Sequence, residues 1–304
     1  MAQSRFRTDR QLSARMVAVM GTLVLAYAAA VAVLTLVLGH WWPAGVAIIV
    51  AFFVCQLFAS DTIALKTAGA HEVDAEQEPR LHALADRLCA LADMPKPRLA
   101  VSETPVPNAF AAGRKRKGVV LCVTRGMLNR LDDQELEGVM AHELSHVAHG
   151  DAVVMTVASF IGVLAGLTAR LGARMLFYAG RMRNVWQFLV VALAVTLLAT
   201  ATWLVSVLLI RALSRYREFA ADHAAAQLTG NPAALSSALV KVSSAGGAGL
   251  IPHKDLRHAT ALNAFFFCPV VTERAKQAGA QALSTHPSVE ARIERLERLA
   301  EGLR

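Results

Sequence analysis

Four long apolar runs divide the chain. Val17 to Gly39 carries no charge and is rich in Val, Leu and Ala. After a break at Trp41, Trp42 and Pro43, the stretch Ala44 to Ser60 is again uncharged. Ala152 to Thr168 is the third run, and Trp186 to Ile210 is the fourth, with 25 uncharged residues. About 20 apolar residues span a bilayer core, so the first and fourth predict membrane helices. The second is short, and its helix is expected to extend past Asp61. The third is marginal in length. The first run is too long for the apolar part of a cleaved signal peptide and is followed at once by another, so a retained anchor is expected.

Between and after these runs the pattern turns polar. Within His71 to Gly150, Leu81, Leu84, Leu88 and Leu91 recur at helical spacing and predict a helix over Glu78 to Leu91. Leu99 to Ser102 and Gly118 to Thr124 predict short strands on either side of VPNAFAAG, Val106 to Gly113. Asp132 or Asp133 starts a further helix, with Leu136, Met140, Leu144 and Val147 along one stripe. From Ala212 onward an alanine-rich helix opens with SRYREFAADHAAA, another begins at Asn231-Pro232, and Ser288 to Leu299 forms a closing amphipathic helix. The reading is a mainly α membrane protein. It has an N-terminal transmembrane hairpin (1–66) and a mostly helical domain with a small β-sheet in two halves (67–151 and 212–304). Two further hydrophobic helices (152–211) interrupt that domain.

Composition agrees: 55% of the chain is hydrophobic and 18% charged, against about 25% charged in ordinary soluble domains. The net charge of +8 fits anionic lipid better than nucleic acid, because much of it flanks apolar runs. Arg5, Arg7, Arg10 and Arg15 precede the first run, and no Arg or Lys separates the first two. The amino terminus is therefore expected in the cytoplasm. Cys55, Cys89, Cys122 and Cys268 form no close pair, and a cytoplasmic domain predicts no disulfides.

The chemistry concentrates in VMAHELSHVAHGD, Val139 to Asp151. His142 and His146 stand four apart, hence on one helix face, where two imidazoles can grip one zinc ion. Glu143 lies between them, able to take a proton from an attacking water and return it to a leaving amine. A third ligand is needed. His149 is one candidate, and Glu218, Asp222 and His223 are others. Glu218 and Asp222 lie one helical turn apart, so Glu218 could bind zinc while Asp222 orients a ligand histidine. A different zinc-protease pattern requires glycine at 149 and histidine at 152, which here are His149 and Ala152.

HELSH together with EFAAD at Glu218 to Asp222 resembles the M48 zinc peptidases, which include membrane-bound prenyl-protein endopeptidases and a bacterial heat-shock protease. VPNAFAAG and THPSVEARIERL, Thr285 to Leu296, match the same family. The resemblance implies a zincin-like domain with one Zn2+ per chain held by His142, His146 and Glu218. It implies Glu143 as general base and Asp222 as support for the first histidine. Asn108, Ala109 and Phe110 resemble an edge strand that holds extended substrate, and His286 matches a histidine near the active site that could donate to the oxyanion. Tyr216 is a weaker candidate for that donation. The implied activity is zinc-dependent endoproteolysis of membrane or misfolded proteins at a bacterial cytoplasmic membrane, with polypeptides and the lipid bilayer as partners. A processing protease for one lipid-modified substrate is the alternative within the class, and a non-enzymatic membrane scaffold is the alternative outside it.

One constraint needs no family. His142 and His146 precede the third and fourth runs and Glu218 follows both, so a single site demands zero or two crossings between them. Two crossings place Arg170, Arg174, Arg181 and Arg183 at the far side, against the positive-inside tendency. Phe265, Phe266 and Phe267 form either a core turn or an interfacial loop.

Overall fold

A computed structural model describes residues 42–113, 118–179, 186–245, Phe267 and 286–302, with isolated helical positions between 14 and 28. The basic turn Arg114 to Lys117, Phe265, Phe266, Arg181, Arg183 and most of the first apolar run lie outside the described residues. The first arm of the expected N-terminal hairpin therefore lies largely outside them too. The described chain is mainly helical: α1 (Trp42–Thr67), α2 (Pro79–Ala92), α3 (Arg125–Leu128), α4 (Asp133–His149), α5 (Asp151–Ala179), α6 (Trp186–Thr229), α7 (Pro232–Ala245) and α8 (Val289–Gly302). Four short strands join them: β1 (Ala70–Glu72), β2 (Arg98–Ser102), β3 (Ala109–Ala112) and β4 (Val120–Thr124). The chain divides into two compact units, one of Phe58–Val153 with Ser214 onward and one of Ser13–Leu57 with Val154–Leu213.

In the first unit the strands form a mixed sheet in the order β1-β2-β4-β3. β4 is central, parallel to β2 and antiparallel to β3, and all five of its residues are buried. Both faces of a central strand are covered, which is why Val120 to Thr124 reads as continuous apolar sequence rather than alternating. The pleat divides the burial. Leu99, Val101, Leu121 and Val123 join the main core, whereas Ala100, Val120, Cys122 and Phe110 face a small cluster with Leu65, Ala68 and Ala70. β3 is left as an edge strand.

α4 is fixed at both ends. Asp132 accepts from the Glu135 amide and Glu135 accepts from the Asp132 amide, a reciprocal capping box. Leu136, Met140 and Leu144 are fully buried along one stripe, and Gly138 lets α7 approach closely at Leu235. At its far end Gly150 adopts φ 68°, and its amide donates to the His146 and Val147 carbonyls. That left-handed cap stops α4, and α5 starts at the next residue, Asp151. α6 contains neither Gly nor Pro and runs unbroken for 44 residues to Gly230, another left-handed cap. Asn231 then caps α7 by accepting from the Ala234 amide.

The second unit contains apolar helical segments that close on small residues. Gly162 stands against Ser206, Gly166 against Trp203 and Gly172 against Thr196, so α5 and α6 run antiparallel. Such small-residue contacts let helix backbones approach where solvent exclusion offers little drive. Phe160 is buried here, with its ring edge on Phe53.

Several expectations are corrected. The third apolar run is the start of a 29-residue helix, because no Gly-Pro pair or cap follows Thr168 to end it. The fourth run and the alanine-rich helix are one element, α6. β1 was not anticipated, since three residues are too few to show alternation. Leu91 is 39% exposed, and its expected place in the core is taken by Ala85, Cys89 and Ala92.

Candidate metal centre

α4 presents His142, His146 and Glu143, and α6 presents Glu218 one turn before Asp222. His142, His146 and Glu218 form a group in which one ligand atom of each lies within 4.8 Å of the others. His142 Nε2 is 3.2 Å from His146 Nε2, and Glu218 Oε2 and Oε1 lie 3.5 and 3.6 Å from those two nitrogens. Tetrahedral zinc with bonds of about 2.0–2.1 Å separates its ligand atoms by about 3.4 Å, so the spacing fits. The other ring nitrogens are already engaged. His142 Nδ1 is 3.0 Å from Asp222 Oδ1, and His146 Nδ1 is 2.6 Å from Asp151 Oδ2. With those nitrogens donating to carboxylates, both Nε2 atoms are left as acceptors facing a third acceptor. Among the described residues Glu218 Oε2 is buried without a hydrogen-bond partner, with His142 Nε2, His286 Nδ1 and Arg292 Nη1 each 3.5 Å away. Three converging acceptors in a buried place are what a cation requires. These residues fit a metal of zinc's size and ligand preference.

The electrostatics agree. Burial presses the His142 ring toward neutrality, but the carboxylates of Asp222 and Glu218 beside it outweigh that and carry its pKa up to about 9. His146 is driven down to about 4, first by burial and then by its neighbour His142. Burial raises the Glu143 carboxyl, while His142 and His146 pull it back.

Of the other candidates, His149 turns back to its own helix, with Nδ1 2.8 Å from the Ser145 carbonyl, and stands outside the group of three. His286 is close, its Nδ1 3.5 Å from Glu218 Oε2. Ala109 and Phe110 are buried on the edge strand β3, which packs on α4. The Asn108 side chain does not face outward from it. Its Oδ1 accepts from the Phe267 amide, and the Asn108 backbone amide donates to Thr124 Oγ1. Phe267 is buried with its ring edge-on to His142, which answers the interfacial-loop reading for that residue.

Arg292 is the main residue that the sequence reading passed over. It is 1% exposed, and its Nε and Nη2 donate to Asp222 at 2.8 and 2.6 Å. Nη1 donates to the Phe267 carbonyl, and the guanidinium lies 4.8 Å above the Phe267 ring. A signal existed: on α8, Arg292 falls between Val289, Ile293 and Leu296 on the apolar stripe, where a charge needs a buried partner. Replacing it with Met strands the Asp222 carboxylate in the core. Arg292→Met is expected to cost about 3–5 kcal/mol, read as a lowered thermal midpoint of the detergent-purified protein. Arg292→Lys, unable to donate bidentately, should recover only part of the loss.

A helix carrying two histidines, joined by a glutamate from a second helix and backed by an edge strand, forms a group that could hold a metal ion. The chain belongs to Peptidase family M48, which matches residues 75–300. It is 48% identical over 302 residues to the protease HtpX homolog 1 of Streptomyces coelicolor, covering 99% of this chain and 97% of that protein. It is 44% identical over 307 residues to the protease HtpX homolog of Moorella thermoacetica, covering 97% of each. The crystal structure of S. mikatae Ste24p shares the fold at 16% identity, with a TM-score of 0.52 over 95% of this chain and 67% of that one.

Proposed function

We propose that the chain is a zinc-dependent endopeptidase that hydrolyses peptide bonds of membrane or misfolded proteins in membrane quality control. The observation that carries this is the convergence of His142 Nε2, His146 Nε2 and Glu218 on one point beside Glu143. Zinc bound there would supply Lewis acidity and lower the pKa of a water. Glu143 takes the proton of the attacking water and delivers it to the departing amine. The edge of β3, Ala109 to Ala112, unpaired among the described residues, would offer main-chain donors and acceptors to an extended peptide of almost any sequence. Because the Asn108 side chain is occupied with Phe267, substrate holding falls to the strand's backbone. His286 would donate to the oxyanion that develops on the scissile carbonyl, a role supported by its nearness to Glu218. Asp222, clamped by Arg292, keeps His142 in the right tautomer.

The domain reading is a peptidase domain in two halves, 67–151 and 212–304, parted by a membrane insertion at 152–211 and preceded by the hairpin of 1–66. α5 and α6 each contain a segment long and apolar enough to cross a bilayer, Asp151–Phe177 and Leu189–Thr229. They form an antiparallel pair, which favours two crossings and returns Glu218 to the side of His142. Arg170 and Arg174 lie toward the distal end of α5, where long side chains reach a headgroup region. The amino terminus and peptidase domain are assigned to the cytoplasmic side of a cytoplasmic membrane, on the strength of Arg5, Arg7, Arg10 and Arg15.

The test is metal analysis of the detergent-purified protein with a casein-cleavage assay. One zinc per chain and activity removed by a chelator and restored by zinc are expected. Protein without stoichiometric metal, or cleavage indifferent to chelator, would leave a scaffold or another protease class instead.

A further inference from the structure

Asp151 is the first residue of α5, and its carboxylate does not serve that helix. Among the described residues Oδ1 is buried without a hydrogen-bond partner, so it caps no amide of the first turn. Oδ2 instead meets His146 Nδ1 at 2.6 Å and Arg217 Nη2 at 2.6 Å. Arg217 Nη1 also donates to the Asp151 backbone carbonyl at 2.9 Å. Asp151 is 4% exposed and Arg217 6% exposed, so neither gains from solvation. A buried carboxylate and guanidinium cost several kcal/mol each to desolvate, and this pair stabilises little that an apolar pair would not. What it does supply is an aimed acceptor at one nitrogen of His146.

We propose that Asp151, held by Arg217, is the positioning residue of His146. Accepting from Nδ1–H, it fixes the tautomer that leaves Nε2 as an acceptor and turns the ring toward Glu218. The arrangement repeats at the second histidine what Asp222 and Arg292 form at the first: carboxylate to Nδ1, buried arginine to carboxylate. Its chain placement adds a further property. Asp151 follows α4 by the single residue Gly150, and Arg217 immediately precedes Glu218 on α6. One ion pair thus ties the start of α5 and the glutamate-bearing turn of α6 to the same imidazole.

This rests on the reading of His142, His146 and Glu218 as a metal site, and the test separates the two. Zinc affinity is measured by chelator competition on full-length protein in detergent, alongside the visible spectrum of the cobalt-loaded form and the thermal midpoint in excess chelator. Parent protein that takes up no stoichiometric zinc sinks the metal reading itself. If the parent binds, Asp151→Asn and Asp151→Ala are expected to weaken zinc binding about 10- to 100-fold and to shift the cobalt bands. Arg217→Lys, which keeps a cation beside Asp151, should recover part of the affinity that Arg217→Met loses. Parental affinity and an unchanged cobalt spectrum in Asp151→Ala would overturn the proposal. Should the Asp151 variants not fold, the zinc-loaded parent decides by the nitrogen NMR shifts of labelled histidine. His146 protonated at Nδ1 supports the assignment, and protonation at Nε2 refutes it.

Discussion

Replacing Glu143 with Gln is expected to abolish casein cleavage while zinc remains bound at one per chain. Gln keeps the size of the side chain but cannot take a proton, and general acid–base catalysis contributes about 10²–10⁴-fold. The loss should fall on kcat, because no ligand to the metal changes. Glu143 is 6% exposed; burial raises its carboxyl above the ordinary value, and His142 and His146 pull it back. A Glu143→Gln protein that cut casein at the parental rate would show the base to be elsewhere.

Glu218→Ala should fail differently, losing both metal and activity. Its two oxygens are the atoms that close the group around His142 and His146, at 3.5 and 3.6 Å from their Nε2 atoms. The remaining pair of imidazoles lacks a charged ligand, so affinity should drop by more than the roughly 10–100-fold typical of losing an orienting partner. Zinc retained at stoichiometry after dialysis in this variant would shift the third ligand to another residue. The contrast between the two variants is the useful measurement. One retains metal and loses turnover, while the other loses metal first.

The candidate metal half-site was legible because it is local. Two histidines four apart on a capped helix need only helical geometry to converge, and the capping acid and the Leu136 stripe mark that helix in sequence. Glu218 and Asp222 became candidates through their own spacing of four. Their meeting with α4 depends on packing across a long insertion, which no local pattern encodes. Arg292 and Asp151 were harder still. Each is a charged residue in a quoted stretch whose burial and partner emerge only in three dimensions, though Arg292 betrays itself on an apolar helix face. The strands flanking Val106 to Gly113 were readable from Val and Leu content, whereas β1, three residues paired to Ala100–Ser102, is created by its neighbour β2. Helix ends were read well where Asp132 or Asn231 stands. The third apolar run stops at Thr168, but the helix goes on to Ala179, because the residues that follow permit helix even though some are charged.

The single-residue joint at Gly150 and the unbroken length of α6 carry a consequence for biosynthesis. A ribosome that has just translated His146 must add 72 more residues before Glu218 exists, roughly 4 to 14 seconds at about 5–20 residues per second. During that interval the nascent chain holds two proposed ligands and no third. On that ligand set the protease cannot be competent until α6 has been translated past Glu218.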